Sequence, residues 1–152
     1  MDIATHILLV EDEPAIRASV RSYLNDLGYR VSEAADGAQA LELFRCQPPD
    51  LVLCDLRLPR VDGLDVLSAI TAEMPEVPVI VVSGVGSIED SIQSLKRGAW
   101  DYISKPILDF GTLETAILRA LDRARLLKEN REYQTHLERL NGQLTQAIEK
   151  LK

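Results

Sequence analysis

Leu51-Val52-Leu53-Cys54-Asp55 is the stretch on which the fold turns: four apolar residues in succession, closed by a carboxylate. A continuous apolar run of this length fits a strand covered by helices on both faces of a parallel sheet. Three more runs end in chemically active groups. Ile7-Leu8-Leu9-Val10 is followed by Glu11-Asp12, Val79-Ile80-Val81-Val82 by Ser83, and Tyr102-Ile103-Ser104 by Lys105-Pro106. In a parallel sheet with helical crossovers the carboxyl ends of the strands share one edge, where open α/β folds place their ligands. Three carboxylates, a hydroxyl and an ammonium therefore converge there. That set suits a divalent cation and a phosphoryl group.

Residues 1 to about 125 read as five strand-then-helix units, with strands near Ile7–Val10, Tyr29–Ala34, Leu51–Cys54, Val79–Ser83 and Trp100–Ser104. The second strand alternates more than the others and is expected nearer an edge. Pro14 suits a first helical turn and Gly28 the end of that helix. Asp36-Gly37 marks a turn before Ala38–Phe44, and Gly63 opens a helix that stops before Pro75. Ser87 with Asp90 resembles a capping box, and Gly98 would close that fourth helix. Alternating βα units predict a doubly wound, five-stranded parallel sheet in three layers.

Composition narrows the classes. The chain has 152 residues, 46% of them hydrophobic, with a net charge of −7. Residues 1–124 hold 11 Lys/Arg against 20 Asp/Glu, whereas residues 125–152 hold 6 against 4. An acidic globular part argues against a nucleic-acid surface, which needs clustered cations. No apolar run approaches the roughly 18–20 residues needed to span a bilayer, and no basic-then-apolar signal opens the chain. Cys46 and Cys54 form no close metal-type pair, and Cys54 reads as a small buried thiol. Together these features predict a cytoplasmic protein that binds neither membrane nor nucleic acid.

The last helix is different. From about Thr112 it contains no proline and one glycine, Gly142. Leu113, Ile117, Ala120 and Ala124 form a stripe that can pack on the sheet. Beyond it Leu126, Asn130, Tyr133, Leu137, Leu140, Leu144, Ala147 and Leu151 step by 4, 3, 4, 3, 4, 3 and 4. That is an a/d heptad seam, with Asn130 at an a position, where one polar residue can fix register and two-strandedness. Gly142 falls at an outer f position, where it weakens the helix by about 1 kcal/mol relative to Ala. Residues 112–152 would reach roughly 60 Å as one helix. Homodimerisation through a coiled coil over residues 125–152, beside a globular domain over 1–124, would cover the seam; an amphipathic helix folded back on its own domain would cover it too. The pattern runs to Lys152 without a stop signal, which predicts that an output domain follows in the native chain.

On Glu11-Asp12, Asp55, Ser83 and Lys105-Pro106, set on successive βα units, the sequence resembles the receiver domain (CheY-like) of bacterial two-component response regulators, from residue 6 to about 125. The resemblance implies that Asp55 accepts a phosphoryl group from a sensor histidine kinase or phosphotransfer protein. It implies a Mg²⁺ cofactor held by Asp12, Asp55 and the backbone carbonyl of Arg57, with Glu11 acting through a water. Lys105 would pair with the acceptor and later hold a phosphoryl oxygen, aimed by a cis Pro106. Ser83 would bond the transferred group, Gly84 would leave room for the donor, and Tyr102 would turn inward as the hydroxyl moves. Asp62-Gly63, after Pro59, keeps the family's turn. Arg57 departs from the commoner neutral or acidic residue two places after the acceptor, a position that tunes phosphoryl lifetime; Leu58 replaces a frequent methionine.

Two other functions share parts of this pattern. Aspartyl-phosphate phosphatases usually carry Asp-x-Asp, the second acid protonating the leaving group; here Asp55-Leu56-Arg57 puts an arginine in that place. A phosphorylation-independent receiver-like interaction domain would normally have lost some of the site positions, and all are present. His136, at a g position, lacks the acidic neighbour and downstream proline of a kinase phosphorylation site and reads as flanking the helix interface. Glu13 reads as a solvated first-turn residue, and His6 as ordinary surface or edge ahead of the first strand.

Overall fold

The computed structural model describes residues 4–84, 88–107 and 109–151. Five strands alternate with five helices: β1 (His6–Val10), α1 (Pro14–Asp26), β2 (Arg30–Ala34), α2 (Gly37–Cys46), β3 (Leu51–Cys54), α3 (Gly63–Glu73), β4 (Val79–Ser83), α4 (Ile88–Lys96), β5 (Asp101–Ser104) and α5 (Phe110–Lys150). All pairings are parallel, in the order β2-β1-β3-β4-β5. The doubly wound sheet is the expected one, and the alternating second strand does lie at an edge.

Strand side chains alternate between two cores, as the period of two requires. Leu8, Val10, Val52, Cys54, Val79 and Val81 pack against Ala40 and Phe44 of α2 and Val66, Leu67 and Ile70 of α3. Ile7, Leu9, Leu51, Leu53, Ile80 and Val82 pack against Val20 and Leu24 of α1 and Leu113, Ala116, Ile117 and Ala120 of α5. Two helical layers thus sandwich the sheet, which is why the central strands carry no polar face. Burial drives the Cys54 thiol pKa upward, which keeps it protonated and inert.

Helix ends follow local chemistry. Gly28 and Gly98 close α1 and α4 with φ of 94° and 109°, a region that side chains with a Cβ avoid. Asp36 caps α2 by accepting the Gln39 N–H at 2.8 Å. The Ser87 half of the expected capping box lies outside the described residues. Several boundaries shift. β2 and β5 begin one residue later than read, and α5 begins at Phe110 rather than Thr112, because Asp109 accepts the Gly111 N–H at 2.8 Å and caps it. Glu13 is the N-cap of α1 rather than part of its first turn, and it is exposed.

His6 is the largest correction. It is the first residue of β1, and only 4% of it is exposed. Its N–H donates to Asp50 Oδ2 at 2.8 Å, and its Nε2 lies 2.6 Å from Ser32 Oγ. These partners come from β2 and the turn before β3, so no local signal announces them. Burial lowers the His6 pKa below its ordinary 6.5; Arg30 adds to this and Asp50 opposes it. The folded protein therefore prefers neutral His6, and its contribution is full above about pH 6.5 and declines as pH falls toward the folded value. A His6→Gln variant should lose less of its urea midpoint than wild type between pH 7.5 and 5.5. An unchanged pH slope would remove His6 from the acid response.

α5 runs unbroken for 41 residues. It does not fold back: every described residue from Arg125 to Leu151 is exposed, including Leu126, Asn130, Tyr133, Leu137, Leu140, Leu144 and Leu151. Gly142 stands in open space, and His136 is exposed with Nδ1 2.7 Å from Arg139. Among the described residues no helix is long and apolar enough to cross a membrane.

Candidate functional site

The strand order sets the site. β3 lies between β1 and β4, with β5 beyond, so residues just past four strand ends become neighbours. The backbone ladder continues past the strands: the Asp55 N–H donates to Val10 O at 3.1 Å and the Lys105 N–H to Ser83 O at 2.9 Å. These bonds seat Asp55 against the end of β1 and Lys105 against the end of β4.

Lys105 then reaches inward. Its Nζ donates to Asp55 Oδ2 at 2.8 Å and to Glu11 Oε2 at 2.6 Å. The expected pairing with Asp55 is present, and the pairing with Glu11 is an addition that no sequence signal marked. Both carboxylates are deeply buried, at 7% and 4% side-chain exposure, so solvent does little to screen them. Burial pushes the Glu11 pKa up, and the Lys105 hydrogen bond only partly offsets this. For Lys105 burial acts downward, but the hydrogen bonds to Asp55 and Glu11 outweigh it and raise the pKa. The ammonium is thus firmly charged, whereas burial disfavours the Glu11 anion.

Asp12 is exposed beside them, and carboxylate oxygens of Glu11, Asp12 and Asp55 all lie within 4.8 Å of one another. Three hard oxygen donors this close, with one ammonium between them, carry excess negative charge and fit a divalent cation such as Mg²⁺. Replacing Lys105 by Ala should strand two buried carboxylates and cost about 3 kcal/mol in metal-free buffer, with part recovered by millimolar Mg²⁺. Urea unfolding in EDTA and in MgCl2 checks this; equal midpoints for variant and wild type in EDTA would refute it.

The Arg57 N–H donates to Asp55 Oδ1 at 3.2 Å, and its exposed guanidinium lies 3.8 Å from Asp90 of α4, a contact not foreseen. Ser83 is fully buried, and neither its Oγ nor the Tyr102 hydroxyl has a hydrogen-bond partner among the described residues. Tyr102 packs against the α2/α3 core. The Lys105-Pro106 peptide bond is cis. Gly84 is exposed, and with Lys105 and Pro106 it lines a cleft of about 630 Å³ that opens between α1 and the start of α5.

This arrangement defines a class, and the comparisons agree with it: the chain belongs to the response regulator receiver domain family, matched over residues 7–118. Receiver domains of this family work in two-component signalling through phosphorylation of an aspartate, and they bind Mg²⁺ at an acidic pocket. Among particular relatives, the nitrogen assimilation regulatory protein NtrX of Azorhizobium caulinodans is 42% identical over 132 residues, 86% of this chain and 29% of that protein. The transcriptional regulatory protein ZraR of Escherichia coli is 41% identical over 76% of this chain and 26% of its own length. The chain therefore spans less than a third of these curated relatives. A CheY-like receiver domain protein from Methanospirillum hungatei superposes with a TM-score of 0.77 at 32% identity, covering 81% of this chain and 98% of that one. NtrX from Brucella abortus gives a TM-score of 0.78 at 38% identity, covering 84% of this chain and 29% of that one.

Proposed function

We propose that Asp55 is the phosphoacceptor of this receiver and that a sensor histidine kinase or phosphotransfer protein is the donor. The observation that carries the reading is the Lys105 ammonium held 2.8 Å from Asp55 and 2.6 Å from Glu11, beside carboxylates that fit a divalent cation. In the transfer an Asp55 carboxylate oxygen bonds to phosphorus as the P–N bond of the donor's phosphohistidine breaks. The electron pair stays on the imidazole nitrogen, which takes up a proton, and Asp55 becomes an acyl phosphate.

Catalysis is then mainly charge compensation and positioning. Asp12, Asp55 and the Arg57 carbonyl would hold Mg²⁺ directly, with Glu11 acting through a water. Bound there, the ion supplies positive charge against the phosphoryl oxygens. Lys105 exchanges part of its contact with Asp55 for a phosphoryl oxygen. The Ser83 hydroxyl, buried without a partner among the described residues, donates to another, and Tyr102 settles inward behind it. Gly84 keeps the donor's approach clear. The chain catalyses its own phosphorylation, and its own dephosphorylation when water takes the phosphoryl group, which releases inorganic phosphate and restores the Asp55 carboxylate.

Residues 1–124 form the receiver in this reading. Residues 125–152 form a homodimeric coiled-coil helix that relays the switch to an output domain in cis, in the cytoplasm. Support for the dimer is the exposed apolar seam on α5. The test of the acceptor reading is uptake of phosphoryl from acetyl phosphate. One group per chain is expected in MgCl2 and almost none in EDTA, read by intact mass; a chain unmodified in both would overturn it.

A further inference from the structure

We infer that the second copy on α5 lies parallel and in register, and that the coil between the two copies starts at Leu126. The inference rests on the dimer reading above and adds its orientation and its limit. Eight a/d positions from Leu126 to Leu151 sustain the heptad over nearly four repeats, enough to specify a coiled partner rather than a flat apolar surface. Lys128, Arg131, Glu132, Glu138, Arg139 and Glu149 sit at outer positions, so charge is segregated from the seam.

Flanking charges set the orientation only weakly. The e positions are Leu127, Gln134, Asn141 and Ile148, and the g positions Glu129, His136, Gln143 and Lys150. A parallel alignment sets each e residue against the g residue five places earlier, and none of these facing pairs joins two charges. An antiparallel alignment sets g against g and joins Glu129 to Lys150, an exposed pair that contributes little beside a buried, unpaired amide. The choice falls to Asn130. In a parallel, in-register pair it faces Asn130 of the second copy, and each amide can donate to and accept from the other. The antiparallel alignment that keeps the whole seam covered sets Leu126 against Leu151, Tyr133 against Leu144 and Asn130 against Ala147. Ala147 offers no polar group, so both amides would be buried unsatisfied.

The upstream limit follows from where the same stripe goes next. One and two heptads before Asn130 the a positions are Arg123 and Ala116. Ala116 is buried in its own domain, and the Arg123 guanidinium lies 4.8 Å from the centre of the Trp100 ring. The preceding d position is Arg119, which is exposed. Extending a parallel coil upstream would oppose arginine to arginine and drive the partner into the receiver's own sheet-packing face.

The test uses the full chain in a Cys46→Ser background, since Cys46 is the exposed native thiol and Cys54 is buried. L126C is expected to oxidise to a covalent dimer at least ten-fold more than R119C, and L126C mixed with L151C to give no heterodimer crosslink. N130L should allow the L126C–L151C crosslink to appear. A dimer in sedimentation that crosslinks only L126C to L151C would overturn the parallel orientation. R119C crosslinking as well as L126C would overturn the start at Leu126. A monomer for the uncrosslinked chain at all concentrations would instead sink the dimer reading on which both rest.

Discussion

An Asp55→Asn variant is expected to fold normally and to take up no phosphoryl group from acetyl phosphate in MgCl2. Asparagine keeps the size of the side chain and an oxygen that can accept the Arg57 N–H, now 3.2 Å from Asp55 Oδ1. Lys105 keeps its 2.6 Å bond to Glu11, so the buried ammonium stays paired. Stability should therefore change by no more than about 1 kcal/mol. The chemistry changes far more. A carboxylate oxygen carries the charge that attacks phosphorus, and a neutral amide does not. A loss of at least about 1,000-fold, roughly 4 kcal/mol in barrier, is expected. Intact mass after acetyl phosphate treatment measures it, with urea unfolding as the folding control. Phosphoryl uptake by a folded Asp55→Asn chain near the wild-type level would move the acceptor elsewhere.

Gly63→Ala should be the most destabilising single-methyl change in the site region. A Cβ at Gly63 would stand 2.1 Å from the Asp55 carbonyl oxygen, 2.5 Å from Leu56 Cα and 2.7 Å from the Leu56 carbonyl oxygen. All three are backbone atoms, so no rotamer change relieves the contact. The Gly63 N–H also donates to Leu56 O at 2.9 Å, fixing the start of α3 directly beneath the acceptor. A cost of about 3 kcal/mol or more is expected, together with slower phosphoryl uptake as the Asp55 backbone is displaced. Urea unfolding reads the first and label kinetics the second. Wild-type stability would mean the α3 terminus can back away from β3. Gly142→Ala, on the open helix with nothing within 4 Å, is the control that should instead stabilise slightly.

Gly63 also shows what a sequence conveys. As a helix opener after Asp62 it was legible from turn chemistry alone, but its contact with Asp55 belongs to packing between segments. The sheet was readable because β1, β3 and β4 are buried on both faces and so are apolar except for His6 and Ser83 at their ends. Asp55 and Ser83 were readable because each immediately follows or ends such a run, and Lys105 because it closes the shorter run of β5 just ahead of Pro106. What stayed hidden depends on distant partners. His6 looked peripheral because its burial comes from Ser32 and Asp50. Glu11 was read only as reaching the ion through a water, yet it sits deeper than Asp12 and takes the shorter of the two Lys105 bonds. The contact between Arg57 and Asp90 depends on where α4 docks, which no spacing encodes. The α5 stripe was legible by period, whereas the burial of Ala116 needed the sheet in place.

The unbroken course of α5 makes the receiver the short arm of a lever. Its root, at Leu113 and Ile117, is clamped in the core beneath β3 and β5, and nothing interrupts the backbone as far as Lys150. The free arm beyond Ala124 measures about 40 Å, so a root tilt of about 5° displaces its far end by some 3–4 Å. A rearrangement too small to disturb the fold thereby becomes a movement comparable to most of a helical turn.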